Sequence, residues 1–390
     1  MTKVQQKLDP TRSAREVDIL EQGLRQRIIG QDEAIRQIVN IYQMFLAGMS
    51  GVRRPIGNYL FLGPTGTGKT RLVEAVAECL VGTPDAVIKI DCAEYQHSHE
   101  TAKLVGSPPG YLGHRETPAL LQQKSLNKYH TEKMKLSFVL FDEIEKASDA
   151  LWNLLLGIMD KATLTLGDNT SVDFSRCMIF LTSNVGASEM GAILRPRLGF
   201  GSRETQLKHE TGNLEEDVQG RIERASLEAA RRRFTPEFMN RIDQTVVFHP
   251  LGETELFQIV DLELKCVQRR VFDSLRENAF MFYATKAAKA FLLKEGTDVR
   301  YGARHLKRAI ERHIVCPLSS LIATQQIRGG DLIEVNHEPG AACLTFAKQA
   351  EGIPSQVVVR CVGENMLGDQ AMAAAMEAPA PGLARTVRKG

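Results

Sequence analysis

Residues 63–70 read Gly63-Pro64-Thr65-Gly66-Thr67-Gly68-Lys69-Thr70, a complete phosphate-binding loop. Phosphate oxygens need closely spaced backbone N–H donors, and glycine lets the chain curl tightly enough to turn several of them inward. In such a loop Lys69 supplies a mobile positive charge for the β- and γ-phosphates, and the Thr70 hydroxyl stands where Mg2+ is held. The flanks supply the matching context. Tyr59-Leu60-Phe61-Leu62 is a short apolar run suited to a buried parallel strand. Beyond the loop, Leu72, Ala75, Val76, Cys79 and Leu80 recur at helical spacing, and the predicted helix aims its N-terminus at the anion. The chemistry expected here is binding of a nucleoside triphosphate with Mg2+.

Working outward, further apolar, β-rich runs occur at 86–90, 138–141, 178–181 and 245–248, separated by helical or loop segments. Strands alternating with helices predict a three-layer α/β domain built on a parallel sheet. That domain is expected over 29–250, after an N-terminal helical extension, 1–28. From about Glu253 the pattern changes to helical spacing: Leu256, Ile259, Val260 and Leu264, then Ala287, Ala290 and Phe291, then Leu306, Ala309 and Ile310. A smaller, mainly helical domain is therefore expected over 251–350, closed by short strands near 332–336 and 342–346. Residues 351–390 read as a tail, Ala/Met/Pro-rich and disordered at its end. The polar stretch 201–220 reads as a mobile surface insertion.

The chain has 390 residues, a net charge of +2, and apolar and charged fractions of 43% and 25%. These values allow two domains with real cores and give no global field for nucleic acid or membrane. Its seven cysteines include no Cys-x-x-Cys pair, which predicts free thiols in a reducing compartment, the cytoplasm. No stretch approaches membrane-spanning length. Cys92, His97 and His99 do not have zinc spacing. Trp152 with Leu151, Leu154 and Leu155 reads as helix core, and Arg231-Arg232-Arg233 as a charged helix face.

Phe138-Val139-Leu140-Phe141-Asp142-Glu143 is the partner of the loop. An apolar strand ending in two acids puts carboxylates at the C-terminal edge of the sheet, where ligands of α/β folds sit. Asp142 is placed to hold Mg2+ and Glu143 to orient and polarise an attacking water.

These segments resemble the AAA+ unfoldases of the ClpA/ClpB/ClpC family, specifically their second nucleotide-binding module and the small domain that follows. The resemblance rests on Ile29-Gly30-Gln31-Asp32-Glu33-Ala34, the loop 63–70, the run 106–113 (Gly-Ser-Pro-Pro-Gly-Tyr-Leu-Gly), and Phe141-Asp142-Glu143-Ile144-Glu145-Lys146-Ala147. It continues through Thr182-Ser183-Asn184, the run 236–243 that contains Asn240-Arg241-Ile242-Asp243, and Tyr301-Gly302-Ala303-Arg304-His305-Leu306-Lys307-Arg308. It implies ATP hydrolysis in a homohexameric ring that pulls polypeptide through a central pore. Asn184 is then sensor 1, positioning the lytic water; an ordinary turn or cap asparagine is the alternative. Arg241 is the arginine finger that reaches a neighbouring subunit's γ-phosphate; the alternative is a salt bridge to Asp243. Arg304 is sensor 2, with Arg300, Lys307 and Arg308 as helix-face charges.

Gly110-Tyr111-Leu112-Gly113, behind Pro108-Pro109, favours an exposed loop. A tyrosine there offers an apolar ring that grips polypeptide without side-chain specificity, and the resemblance places Tyr111 in the pore. The segment 164–173 is read as a second pore-facing loop. Leu198-Gly199-Phe200 matches in kind the tripeptide with which protease-coupled relatives dock a ClpP-type peptidase; the alternative is a loop anchored by Phe200. Over these 390 residues there is no counterpart of the adaptor domain, first ATPase module or coiled-coil middle domain. His114-Arg115-Glu116 follows the tyrosine loop where relatives carry aromatic and acidic residues. The expectation is a solitary ATP-driven unfoldase or remodeller, with a protease subunit or a nucleic-acid motor as alternatives. Neither membrane nor nucleic acid is expected as a partner.

Overall fold

The computed structural model describes residues 14–51, 53–106, 119–194, 214–296 and 304–354. The chain divides into two compact units, Met1–Pro250 and Leu251–Gly390.

In the first unit the strands are, in chain order, β1 (Gly57–Leu62), β2 (Val87–Asp91), β3 (Ser137–Asp142), β4 (Thr163–Thr165), β5 (Ser171–Asp173), β6 (Cys177–Ser183) and β7 (Gln244–Val247). Five of them form one sheet in the order β2-β3-β6-β1-β7, with every pairing parallel. Every residue of β1 and β6 is buried, as strands covered on both faces require. Successive side chains leave on opposite faces. Leu60, Leu62, Val139 and Phe141 enter one core, and Tyr59, Phe61, Phe138 and Leu140 enter the other. The observed strands overlap all the expected runs. The run at 86–90 starts one residue late because Pro84–Ala86 forms a 3-10 turn, capped by the Thr83 hydroxyl accepting from the Asp85 N–H at 3.2 Å.

The helices are α1 (Arg15–Arg25), α2 (Asp32–Leu46), α3 (Lys69–Val81), the short α4 (Ala102–Val105) and α5 (Gln123–Leu126), α6 (Asp149–Lys161), α7 (Ala187–Leu194), α8 (Leu214–Arg233) and α9 (Pro236–Met239). Val17, Leu20 and Leu24 bury one face of α1. A Cβ on Gly23 would lie 2.9 Å from the Cys79 sulfur, so α1 packs closely on α3. The buried residues of α3 are Lys69, Leu72, Val73, Ala75, Val76 and Ala77, whereas Cys79 and Leu80 are half-buried. The buried face is shifted from the expected one because α3 meets both α1 and the sheet. Trp152 is partly buried: its ring lies 5.2 Å from Phe234 and 4.6 Å from Phe238, and its indole N–H donates to the Ala147 carbonyl at 3.0 Å.

One expectation needs correction. Residues 214–220 belong to α8 rather than to a mobile insertion; downstream on that helix Ile222 and Ala230 are buried. Residues 201–213 lie outside the described residues. The segment 164–173 is mostly a β-hairpin, β4 pairing antiparallel with β5, and Asp168 accepts from the Thr170 N–H at its turn.

In the second unit, α10 (Glu253–Leu275), α11 (Lys286–Gly296), α12 (Arg304–Ile310), a π-helical turn (Glu311–Val315) and α13 (Cys316–Ala323) accompany a sheet of β8 (Met281–Ala284), β9 (Leu332–Asn336) and β10 (Thr345–Ala350). Its order is β10-β9-β8, with β8 parallel and β10 antiparallel to β9. Val260, Leu264, Phe282, Leu292, Leu306 and Ile310 share its core. Gln268, 4% exposed, takes the Phe282 N–H on its oxygen and donates to the Phe280 carbonyl, so the edge of β8 is satisfied from a helix. On α11 the buried residues are Ala288, Phe291, Leu292, Leu293 and Gly296, while the expected Ala287 and Ala290 are exposed. Alanine is too small to mark a face. The last strand begins at Thr345 rather than 342, after a turn in which the Ala341 N–H donates to the Glu338 carbonyl.

Candidate nucleotide site

The parallel order sets β1 beside β6 and β6 beside β3, so three C-terminal strand ends meet at one edge. The loop leaves β1, Asp142 and Glu143 end β3, and Asn184 follows β6. The loop's glycines have positive φ: 146° at Gly63, 81° at Gly66 and 100° at Gly68. Gly63 is the most constrained, since a Cβ there would lie 2.6 Å from the Phe248 carbonyl oxygen. The Gly63 N–H donates to the Ser183 carbonyl, and the Phe248 N–H to the Leu62 carbonyl, which clamps the base of the loop to both neighbouring strands.

Lys69, at the first turn of α3, is 7% exposed. Its ammonium donates to the Gly63 carbonyl at 2.6 Å, the Pro64 carbonyl at 2.9 Å and Asn184 Oδ1 at 3.0 Å. The Thr65 hydroxyl donates to the same Asn184 oxygen at 3.3 Å. The Thr70 hydroxyl donates to Asp142 Oδ2 at 3.4 Å, and the other Asp142 oxygen accepts from the Thr182 hydroxyl. The α3 N-terminus has Gly68 as its cap, with no side chain bonded over it. This donor set fits a triphosphate: a glycine cradle, an open helix N-terminus and a buried ammonium. It also fits a divalent cation, which Thr70 and Asp142 would hold through hard oxygens that already converge.

Glu143 has φ +56°, a left-handed conformation that a non-glycine residue pays for with strain. Its N–H donates to Thr182 Oγ1 at 3.0 Å. Its carboxylate accepts from Asn184 Nδ2 at 3.4 Å and pairs with Lys146. Hydrogen bonding to Glu143 holds the Lys146 ammonium above the ordinary lysine range. The neighbouring Glu145 takes the Asn184 N–H on Oε1 at 3.1 Å, and its carbonyl accepts from Arg233. Asn184 thus touches Lys69, Thr65, Glu143 and Glu145.

Arg241 follows α9. Its guanidinium lies 3.3 Å from Glu237 and 3.8 Å from Asp160, and donates to the Glu237 carbonyl at 3.0 Å. Its Nε is buried without a hydrogen-bond partner. The salt bridge to Asp243 does not form: the guanidinium is paired with Glu237 and Asp160, and Asp243 Oδ2 accepts the Asn58 N–H at 2.8 Å. Arg304 opens α12 in the second unit; its side chain, Tyr111 and Leu198-Gly199-Phe200 all lie outside the described residues. Lys307 pairs with Glu263 at 3.1 Å on the helix face.

His97 and His99 stack on each other 5.7 Å apart, and burial pushes the Cys92 thiol well up. Among the described residues no group of three or more His, Cys, Asp or Glu side chains could hold a metal ion. Three functional contacts had no signal of their own in the sequence. Gln31, 3% exposed, donates to the Thr67 and His249 carbonyls and accepts the His249 N–H. Thr182 locks Asp142, and Lys146 meets Glu143. Gln31, Thr182 and Lys146 all lie in segments of the family resemblance, which gave their place but not their contacts.

Known proteins resemble this chain in sequence and fold. The AAA domain (Cdc48 subfamily) matches residues 54–245, and the C-terminal, D2-small domain of ClpB protein matches residues 251–335. The chain belongs to the Clp-type AAA+ family. It is 38% identical over 321 residues to ClpC/MecB, the negative regulator of genetic competence of Bacillus subtilis, covering 82% of this chain and 37% of that one. It is 37% identical over 331 residues to chaperone protein ClpB 1 of Nostoc, covering 85% of this chain and 34% of that one. This Clp-type chain therefore spans little more than a third of those relatives. It is also similar to a closed-state cryo-EM reconstruction of Hsp104 with ATPγS and FITC-casein, with TM-score 0.66 and 28% identity over 85% of this chain and 52% of that one. Among the described residues no helix is long and apolar enough to cross a membrane.

Proposed function

We propose that this chain hydrolyses ATP with Mg2+ in a homohexameric ring and uses the cycle to unfold or remodel polypeptides threaded past Tyr111. The observation that carries this reading is the single network joining Lys69, Asn184 and Glu143 at the sheet edge. Lys69 and the loop N–H groups bind phosphate. Thr70 and Asp142 would hold Mg2+, which would supply positive charge to offset that of the phosphates. Glu143 accepts a proton from, or orients, the attacking water, with Asn184 fixing the position of both. Arg241 acts on the neighbouring subunit, and Arg304 relates nucleotide state to the helical unit.

The test is ATPase activity measured with an unfolded protein, with single-stranded DNA, and with neither. Stimulation by protein alone supports the reading, and stimulation by DNA alone replaces it with a nucleic-acid motor. In the same assay Tyr111→Ala keeps basal turnover and loses unfolding of a tagged, stably folded client. A second reading, an unfoldase subunit of a ClpP-type protease, rests on Leu198-Gly199-Phe200 and on the similarity to a ClpC protein. Binding to such a peptidase by the wild type and not by Phe200→Ala would establish it.

A further inference from the structure

We infer that Lys146 is a positioning residue for hydrolysis: its ammonium holds the Glu143 carboxylate in the orientation from which it acts on water. The inference rests on the reading of Glu143 as the base, and it adds a residue to which no role had been attached.

The local backbone brings the two groups together. β3 ends at Asp142, Glu143 takes φ +56°, and a 3-10 turn, Ile144–Lys146, follows with the Lys146 N–H donating to the Glu143 carbonyl at 3.0 Å. In a 3-10 turn, side chains three apart lie one above the other, so the ammonium arrives on the carboxylate's own side. Lys146 pairs with Glu143 Oε2, and Oε1 faces Asn184 Nδ2 at 3.4 Å. Each carboxylate oxygen thus has its own partner, Lys146 on one and Asn184 on the other. Asn184 is itself fixed: its N–H donates to Glu145 and its Oδ1 accepts from Lys69 and Thr65. Lys146 is the one member of this network whose side chain is about half exposed, at 46%, while that of Glu143 is 33% exposed. An exposed ion pair adds little to stability. Its effect is orientational: without it a glutamate with three free torsions is restrained by Asn184 alone, and misplaced reacting groups lower kcat more than binding.

The experiment compares Lys146→Gln, Lys146→Arg and Glu143→Gln in the full chain. Lys146→Gln is expected to lower kcat about three- to ten-fold, with ATP affinity and melting temperature unchanged. Lys146→Arg restores most of the rate. On the Glu143→Gln background, Lys146→Gln adds no further loss, as expected of residues acting through one another. A readout independent of turnover is acylation of the Lys146 amine by acetic anhydride, which should be faster in Glu143→Gln than in wild type because the ion pair is gone. Lys146→Gln with wild-type kcat, a loss matched by weaker ATP binding, or equal acylation in both proteins would overturn the inference. Wild-type hydrolysis by Glu143→Gln would instead overturn the reading of Glu143, so the two failures are distinguishable.

Discussion

At the residue scale, Lys69 and Glu143 sit in one network, and the proposed function gives them different moments of the reaction. Lys69 is buried against the loop carbonyls and is proposed to meet ground-state phosphates, so Lys69→Ala is expected to abolish nucleotide binding. On the proposed reading Glu143 acts on water, so Glu143→Gln is expected to bind ATP normally and to slow hydrolysis by about 10²-fold or more. Equilibrium binding of a fluorescent nucleotide alongside single-turnover hydrolysis separates the two, and normal turnover by Glu143→Gln would remove it as the base. Gly63 carries a different constraint. With φ at 146° and the Phe248 carbonyl where a Cβ would go, Gly63→Ala has to displace the strand end behind the loop. A destabilisation of about 1–3 kcal/mol is expected, read as a lower urea midpoint together with weaker nucleotide binding. An unchanged midpoint would mean that the loop tolerates the strain.

At the element scale, Gln31 joins pieces that are distant in sequence. It is the cap residue of α2, and its amide spans from the Thr67 carbonyl in the loop to both backbone groups of His249 beyond β7. Buried backbone groups left without partners cost about 1–3 kcal/mol. Gln31→Ala should therefore destabilise the first unit by that order. It should also weaken nucleotide binding, because the loop loses a tie to the strand end behind it. Chemical denaturation monitored at Trp152 would show the first effect. A full-strength midpoint in the variant would rule out the strap.

At the scale of the whole molecule, the arginine reading requires assembly. Arg241 is held by Glu237 and Asp160 on its own chain, and the proposed action on a neighbour would leave no subunit complete alone. Mixing Arg241→Ala subunits with Lys69→Ala subunits should restore part of the ATPase activity, since each supplies what the other lacks; no recovery in demonstrably mixed rings would count against action in trans. The thiols report on the fold itself. Cys92 and Cys177 are buried, whereas Cys266, Cys316 and Cys343 are exposed, so alkylation of the native chain should mark the latter three and spare the former two until unfolding. Burial pushes the Cys177 thiol from 9.0 up to about 12. The fold thus favours the protonated form. Its contribution to stability is complete below pH 9.0 and is lost as the pH climbs from 9.0 toward 12, where the unfolded chain ionises first. Urea midpoints measured on either side of 9.0 should fall on the alkaline side.

The sequence by itself determined the loop, the acid-ended strand and the parallel α/β class, because those signals are local. A glycine-lysine-threonine spacing and uniformly apolar runs are dictated by neighbours within a few residues, and the runs stay apolar because both sheet faces are covered. It also placed Asn184 and Arg241 on their segments through family resemblance. Composition was a poorer guide where small or polar residues decide the packing. Ala287 and Ala290 turned out exposed and Ala288 buried, and the polar stretch from Leu214 became α8. Only the tertiary structure decided which polar groups meet. The strand order β2-β3-β6-β1-β7 puts Lys69 within 3.0 Å of Asn184, residues 115 positions apart in the chain. Asp243 bonds to Asn58, leaving Arg241 to Glu237 and Asp160, and the left-handed turn at Glu143 delivers Lys146 to its carboxylate. Each of these contacts depends on the register between strands or on a single backbone torsion, and neither is encoded in the residue type at one position.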